Sequence, residues 1–166
     1  MDRALDTLTW LPNRELFRIR MEQLLAAGPA PCVALLHVDL DRFDEVNELL
    51  GYETGDFILR EAAARIARTF PRGTLLGHFG GDDFGALIEA GELAPAARYA
   101  RILLDACREP FVVECLALRL TASVGIALRA KGSADAARLM ADACYALYRA
   151  KVGGRDRCFP ARPPRA

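Results

Sequence analysis

The sequence predicts an α+β domain in which helices pack against a central mixed, mostly antiparallel sheet. Three observations carry that expectation. The elements run in the order helix, strand, two helices, hairpin, helix, strand, helix. Cys32–Val38 is a nearly unbroken apolar run, as in a strand buried on both faces. Gly80-Gly81 lies between two strand-like runs, where a tight hairpin needs backbone freedom. The 166 residues fit one domain, 1–166, large enough to close a core without disulfides or a structural metal.

Residues 1–12 form a lead-in turn. Phe17, Met21, Leu24 and Leu25 make a helical stripe over Asn13–Ala27, with Pro12 before it and Gly28-Pro29 as its stop. The apolar strand that follows delivers Asp39-Leu40-Asp41 at its C-terminal end. A short helix covers Phe43–Leu50 and stops at Gly51; a second covers Gly55–Phe70, with Ile58, Ala62 and Ile66 inward and Pro71 as its end. Thr74–Phe79 and Phe84–Glu89 are the hairpin strands, and Asp82 and Asp83 sit at its tip. Pro95–Arg108 reads as a helix. Seven apolar positions then alternate from Leu116 to Leu128, which predicts one long strand with Phe111–Val113 beside it. Ser133 caps a last helix with the stripe Ala136, Leu139, Met140, Ala143 and Leu147, ending at Gly153-Gly154. Cys158-Phe159 makes a final short strand, and 160–166 a flexible tail.

Charge excludes several functions. The 22 basic residues balance the 22 acidic ones, so no global field draws the chain to nucleic acid or an anionic membrane. Any anion must be bound locally. The five cysteines are an odd number without a CxxC pair and read as core fillers. No apolar run approaches the roughly 20 residues that span a bilayer, and Met1-Asp2-Arg3 does not begin a signal peptide, so a cytoplasmic location is expected.

The acids carry the chemistry. If the first strand and the hairpin are neighbours, Asp39, Asp41, Asp82 and Asp83 converge, and four like charges in one cleft call for divalent cations. Paired ions are the usual device for phosphoryl transfer, and carboxylate oxygens favour Mg²⁺ or Mn²⁺. The plainer alternative is that Asp41 caps the helix at 43–50 while Asp82 and Asp83 decorate a solvated turn. Lys151 and Arg155, four apart at the end of the last helix, add a phosphate clamp; compensation of the helix dipole is the alternative there. His37 and His78 read as strand residues, and Tyr145, Tyr148 and Cys144 as packing, none with a functional role.

Seven blocks now fall into one pattern: Asp6-Thr-Leu-Thr-Trp-Leu-Pro-Asn-Arg14, Asp39-Leu-Asp-Arg-Phe43, Asn47-Glu-Leu-Leu-Gly51, Gly55-Asp56, Gly80-Gly-Asp-Asp-Phe84, Ser123-Val-Gly-Ile126, and Ala146-Leu-Tyr-Arg-Ala-Lys151 followed by Gly154-Arg155. In this order they closely resemble the GGDEF family of diguanylate cyclases, in register from residue 6 to 159, with the variant signature GGDDF. The resemblance implies a palm-like fold shared with nucleotide cyclases and polymerases. It implies condensation of two GTP into cyclic di-GMP, with release of pyrophosphate, by a homodimer using Mg²⁺. By the same resemblance Asp39, Asp82 and the Leu40 carbonyl hold metal, and Asp83 assists metal binding or deprotonation of the attacking 3′-hydroxyl. Asn47 and Asp56 read guanine, backbone N–H groups around Arg42 and Phe43 cradle phosphate, and Lys151 and Arg155 neutralise the β- and γ-phosphates. A sensor or receiver domain ahead of the lead-in turn is also implied.

Several positions depart from the family pattern. Asp83 stands where the motif has Glu, and Asp44 where Lys usually lies near the triphosphate. Tyr52 replaces a usual His, His78 an Arg, and Trp10 a Gly. Pro71 and Thr74 occupy the positions of the family's Arg-x-x-Asp inhibitory site, so no such site is expected. These departures define an alternative: a degenerate GGDEF domain that binds GTP without significant turnover and acts as a regulatory or interaction module.

Overall fold

The computed structural model describes residues 4–26, 32–129 and 135–161. Asn13 caps α1 (Arg14–Ala26), its Oδ1 accepting the Leu16 N–H at 2.9 Å, and the helix buries Phe17, Met21 and Leu25. β1 (Val33–Leu40) is buried at all eight positions, as its apolar run demands. α2 (Phe43–Leu50) and α3 (Tyr52–Thr69) share one junction residue, Gly51, whose φ of 83° a side chain would strain. Then come β2 (Leu75–Gly80), β3 (Asp83–Glu89), α4 (Leu93–Arg108), β4 (Phe111–Val113), β5 (Leu116–Leu118), β6 (Ala122–Leu128), α5 (Ala136–Val152) and β7 (Arg157–Pro160).

The main sheet has five strands in the order β2-β3-β1-β6-β7. Only β6 and β7 pair in parallel; the β1–β3, β1–β6 and β2–β3 ladders are antiparallel. Alternation along β1 separates two apolar layers. Ala34, Leu36, Val38 and Leu40 face α2, α3 and α4, while Val33 and Leu35 face α1 and α5.

The structure corrects several expectations. The long strand over 116–128 is two strands, and β4 pairs with β5 in a separate two-stranded sheet. Its partner sets the break: the β1–β6 ladder ends at Leu40 with Ala122, so earlier residues have no strand of the main sheet to join. The second α-helix of the pair begins at Tyr52, three residues before Gly55, and Gly55 lies inside its first turn. A Cβ at 55 would stand 1.9 Å from Asn47 Oδ1, so the glycine makes room for that side chain. Of the five cysteines only Cys107 is buried; Cys32 and Cys115 sit just outside strands and are exposed, and Cys144 and Cys158 are half-buried. Tyr145 and Tyr148 do not pack either, being 56% and 60% exposed on the face of α5 opposite its buried alanines.

Gly28-Pro29, Ser133 and 162–166 lie outside the described residues. Asp135 caps α5, accepting the Arg138 N–H at 2.8 Å, and Pro160, expected in the tail, belongs to β7. No helix among the described residues is long and apolar enough to cross a membrane.

Gly125 sets how close α5 can come. A Cβ there would meet Ala143 O at 2.2 Å and Leu147 N at 2.3 Å, both backbone atoms that cannot rotate away. Gly125→Ala therefore lowers unfolding free energy in urea by about 3 kcal/mol or more. Gly91→Ala, whose nearest contact is Cys32 Cβ at 3.8 Å, is the control and stays close to the parent.

Candidate active site

Three acids sit where β1 ends and β3 begins. Asp39 lies opposite Asp83 in the β1–β3 ladder and opposite Ser123 in the β1–β6 ladder. Asp82 occupies the turn between β2 and β3, and its carbonyl accepts the Leu40 N–H at 3.3 Å, which ties the turn to the end of β1. The turn itself runs through Gly80 and Gly81 at φ of 103° and 57°, conformations that glycine adopts freely. Asp39 is only 5% exposed. Lys151 reaches it from the last turn of α5, with Nζ donating to Oδ2 at 2.6 Å.

The acids differ electrostatically. Burial, with Asp82 and Asp83 adding, pushes Asp39 up to about 6 against the Lys151 hydrogen bond. Burial likewise raises Asp82, and Asp83 and Asp44 add to the shift. Burial works against ionised Asp83 too, yet His37, Lys151 and Arg14 hold its pKa below the ordinary value.

A cavity of about 770 Å³ opens beside Asp39 and Asp82; Asp83 and Asp56 do not line it. Asp39, Asp82, Lys151 and Arg155 line it, together with Arg42, Phe43 and Asn47 from the start and face of α2. Arg42 is the residue before α2 and holds a left-handed φ of 58°, and Arg155 has φ of 60° in the turn after α5. Strained backbone of this kind collects at functional sites. Asp44 and Glu45 also line the cavity. Asp56 is exposed in the first turns of α3, one residue beyond the glycine that seats Asn47.

Neither expectation for Asp41 holds. It does not join the other acids, and α2 has no side-chain cap. Asp41 is buried and accepts three hydrogen bonds, from Thr121 Oγ1 at 2.7 Å, Ser123 Oγ at 2.7 Å and the Asp156 N–H at 3.0 Å. It pins the turn that carries Arg155 to the start of β6.

Asp83 points to the α1 side of the sheet. His37 Nε2 stands 3.2 Å from its Oδ1, an ion-pair distance without full hydrogen-bond alignment, and Arg14 lies 3.8 Å from Oδ2. Cys144 Sγ contacts His37 Nδ1 at 3.3 Å. Burial would lower the His37 pKa, but Asp83 and Cys144 raise it to about 9. His78 is equally engaged. Its Nδ1 is 2.9 Å from Asp6 Oδ1, its Nε2 is 2.7 Å from the Gly81 carbonyl, and its ring stacks on Phe84 at 4.6 Å. It fastens the lead-in turn to the hairpin apex. Nothing in residue spacing singles out these histidines, since their partners are 46 and 72 positions away.

Among the described residues no three His, Cys, Asp or Glu side chains are gathered as a closed metal cage. The donor set nonetheless suits Mg²⁺, which keeps waters and takes one or two carboxylates together with substrate phosphates. A buried carboxylate balanced by a single lysine, beside a second one raised by burial, is such a donor set.

Asp41→Ala leaves the buried Ser123 hydroxyl, the half-buried Thr121 hydroxyl and the Asp156 N–H without their acceptor. It should cost about 3 kcal/mol in urea unfolding, and proteolysis should open first around 154–156.

Comparison with known proteins shows the family and the fold. The family model "Diguanylate cyclase, GGDEF domain" matches residues 3–157. The bifunctional diguanylate cyclase/cyclic di-GMP phosphodiesterase MucR of Pseudomonas aeruginosa is 39% identical over 157 residues, 93% of this chain and 23% of MucR. The probable diguanylate cyclase DgcE of Escherichia coli is 34% identical over 97% of this chain and 15% of its own length. The chain thus spans under a quarter of either relative. The solved GGDEF domain of TpbB (YfiN) from Pseudomonas aeruginosa superposes with a TM-score of 0.89 at 32% identity, covering 95% of this chain and 94% of that one. The chain shares the fold of that domain, and it belongs to the GGDEF family of diguanylate cyclase domains.

Proposed function

We propose that the domain condenses two GTP molecules into cyclic di-GMP and pyrophosphate, as a homodimer holding one GTP per subunit. The observation that carries this reading is one cavity lined together by Asp39, Asp82, Lys151 and Arg155. Anion and cation sites thus face one pocket.

Asp39, Asp82 and the Leu40 carbonyl would hold Mg²⁺ or Mn²⁺, which supplies charge stabilisation at the α-phosphate and the leaving pyrophosphate. The chain's own groups do the positioning. Asn47, seated over Gly55, and the exposed Asp56 beside it receive the guanine edge. Backbone N–H groups at the start of α2, around Arg42 and Phe43, receive phosphate oxygens. Once its carboxylate partner is otherwise neutralised, Lys151 is free to pair with the β- and γ-phosphates alongside Arg155. Asp83, held ionised, accepts the proton of the attacking 3′-hydroxyl or completes the metal shell.

A second reading has an observation of its own. Asp44 lines the cavity wall, a negative charge facing a triphosphate. A domain that binds GTP weakly and turns it over slowly would serve as a regulatory module instead, under an upstream sensor or receiver domain.

The test is product formation from GTP with Mg²⁺ or Mn²⁺ by the domain fused to a dimerising coiled coil, which removes assembly as a variable. Cyclic di-GMP accumulates, and Asp82→Asn lowers the rate about a hundredfold or more. GTP binding without product would leave only the second reading. Asp44→Lys lowers KM for GTP roughly fivefold, the worth of about 1 kcal/mol at an exposed position.

A further inference from the structure

His37 is 4% exposed and lies two residues before Asp39 on the same face of β1. It pairs with Gly85 across the ladder, which sets its ring diagonally beside Asp83. The ring has little freedom. Gly85 offers no side chain, and the Phe79 ring fills that space, 2.2 Å from where a Cβ at 85 would stand. Phe79 meets the imidazole edge-on at 5.5 Å, while Cys144 Sγ holds Nδ1 at 3.3 Å from α5.

That contact, with the Asp83 carboxylate at the other nitrogen, favours a hydrogen on Nε2. If the thiol donates to Nδ1, the imidazole carries its hydrogen on Nε2; if the sulfur is a thiolate, both nitrogens are protonated. In both states Nε2 carries a hydrogen 3.2 Å from Asp83 Oδ1, an ion-pair distance short of full hydrogen-bond alignment. Asp83 needs such a hold. It lies just beyond two glycines at positive φ, and Arg14, which also pairs with it, is more distant and half-exposed.

We propose that His37, backed by the Cys144 thiol, is the positioning residue for Asp83. It fixes the rotamer of a carboxylate one methylene shorter than the family's glutamate. The role rests on the cyclase reading above, and it acts through Asp83, without contact to GTP. Misplacement of a reacting group by about an ångström costs on the order of a hundredfold, which sets the scale expected.

The experiment compares His37→Leu, which removes the N–H at similar bulk, with His37→Gln, whose amide can donate from about the same reach. In the dimerised domain His37→Leu lowers kcat about 10- to 100-fold while KM for GTP stays within about twofold, and His37→Gln recovers most of the loss. A structural role alone would lower thermal stability and impair both variants alike. Independently, the imidazole ¹⁵N–¹H resonance of His37 is recorded without metal or nucleotide, where it shifts in Asp83→Asn. Unchanged kcat in His37→Leu overturns the inference and leaves the cyclase reading standing. A resonance indifferent to Asp83→Asn overturns it whatever the kinetics. Absence of product from the parent protein removes the cyclase reading and this role together.

Discussion

The arrangement depends on one register, the pairing of Asp39 with Asp83 across β1 and β3. Opposed residues in an antiparallel ladder share a face at roughly 5 Å, and a slip of one position would send the two carboxylates to opposite sides of the sheet. Like charges held so close are unfavourable in themselves. Neighbouring elements offset them: Lys151 from α5 on Asp39, and His37 and Arg14 on Asp83. The compensation reaches back into the packing. Gly125 lets α5 lie against the sheet, and that helix carries both Lys151 and Cys144.

Burial and pairing then divide the acids. Asp39 is pushed up to about 6, whereas Asp83 is held below its ordinary range. Groups of one chemical type whose environments drive their pKa values apart are suited to different tasks. On this account Asp39 waits as a half-neutralised ligand that a divalent ion can take over from Lys151. Asp83 stays ionised throughout.

Most of the fold was legible because each buried element wrote its period into the chain. β1 is an unbroken apolar run and α2 begins and ends where Phe43 and Gly51 mark it. The alternation from Leu116 to Leu128 misled, because period 2 records which residues face inward and says nothing of where a partner strand stops. Cysteine and tyrosine were misplaced for a related reason: composition gives an average tendency to be buried, while exposure follows from the position on the element. Asp39, Asp82, Lys151 and Arg155 stand out by charge and position, Asn47 only through the family pattern, and all five line one cavity. Asp41, drawn into the same group by adjacency, instead satisfies Thr121, Ser123 and Asp156. His37 and His78 stayed silent because a lone histidine in an apolar strand has no local signature; its partner appears only when distant segments meet.

The most direct test is crystallographic: anomalous scattering from Mn²⁺ bound together with a non-reactive GTP analogue. The account predicts a peak within oxygen-ligand distance of Asp39 and Asp82, with Lys151 withdrawn from Asp39 Oδ2 to the triphosphate. Manganese bound elsewhere, or Lys151 still paired with Asp39 beside a seated nucleotide, would contradict it.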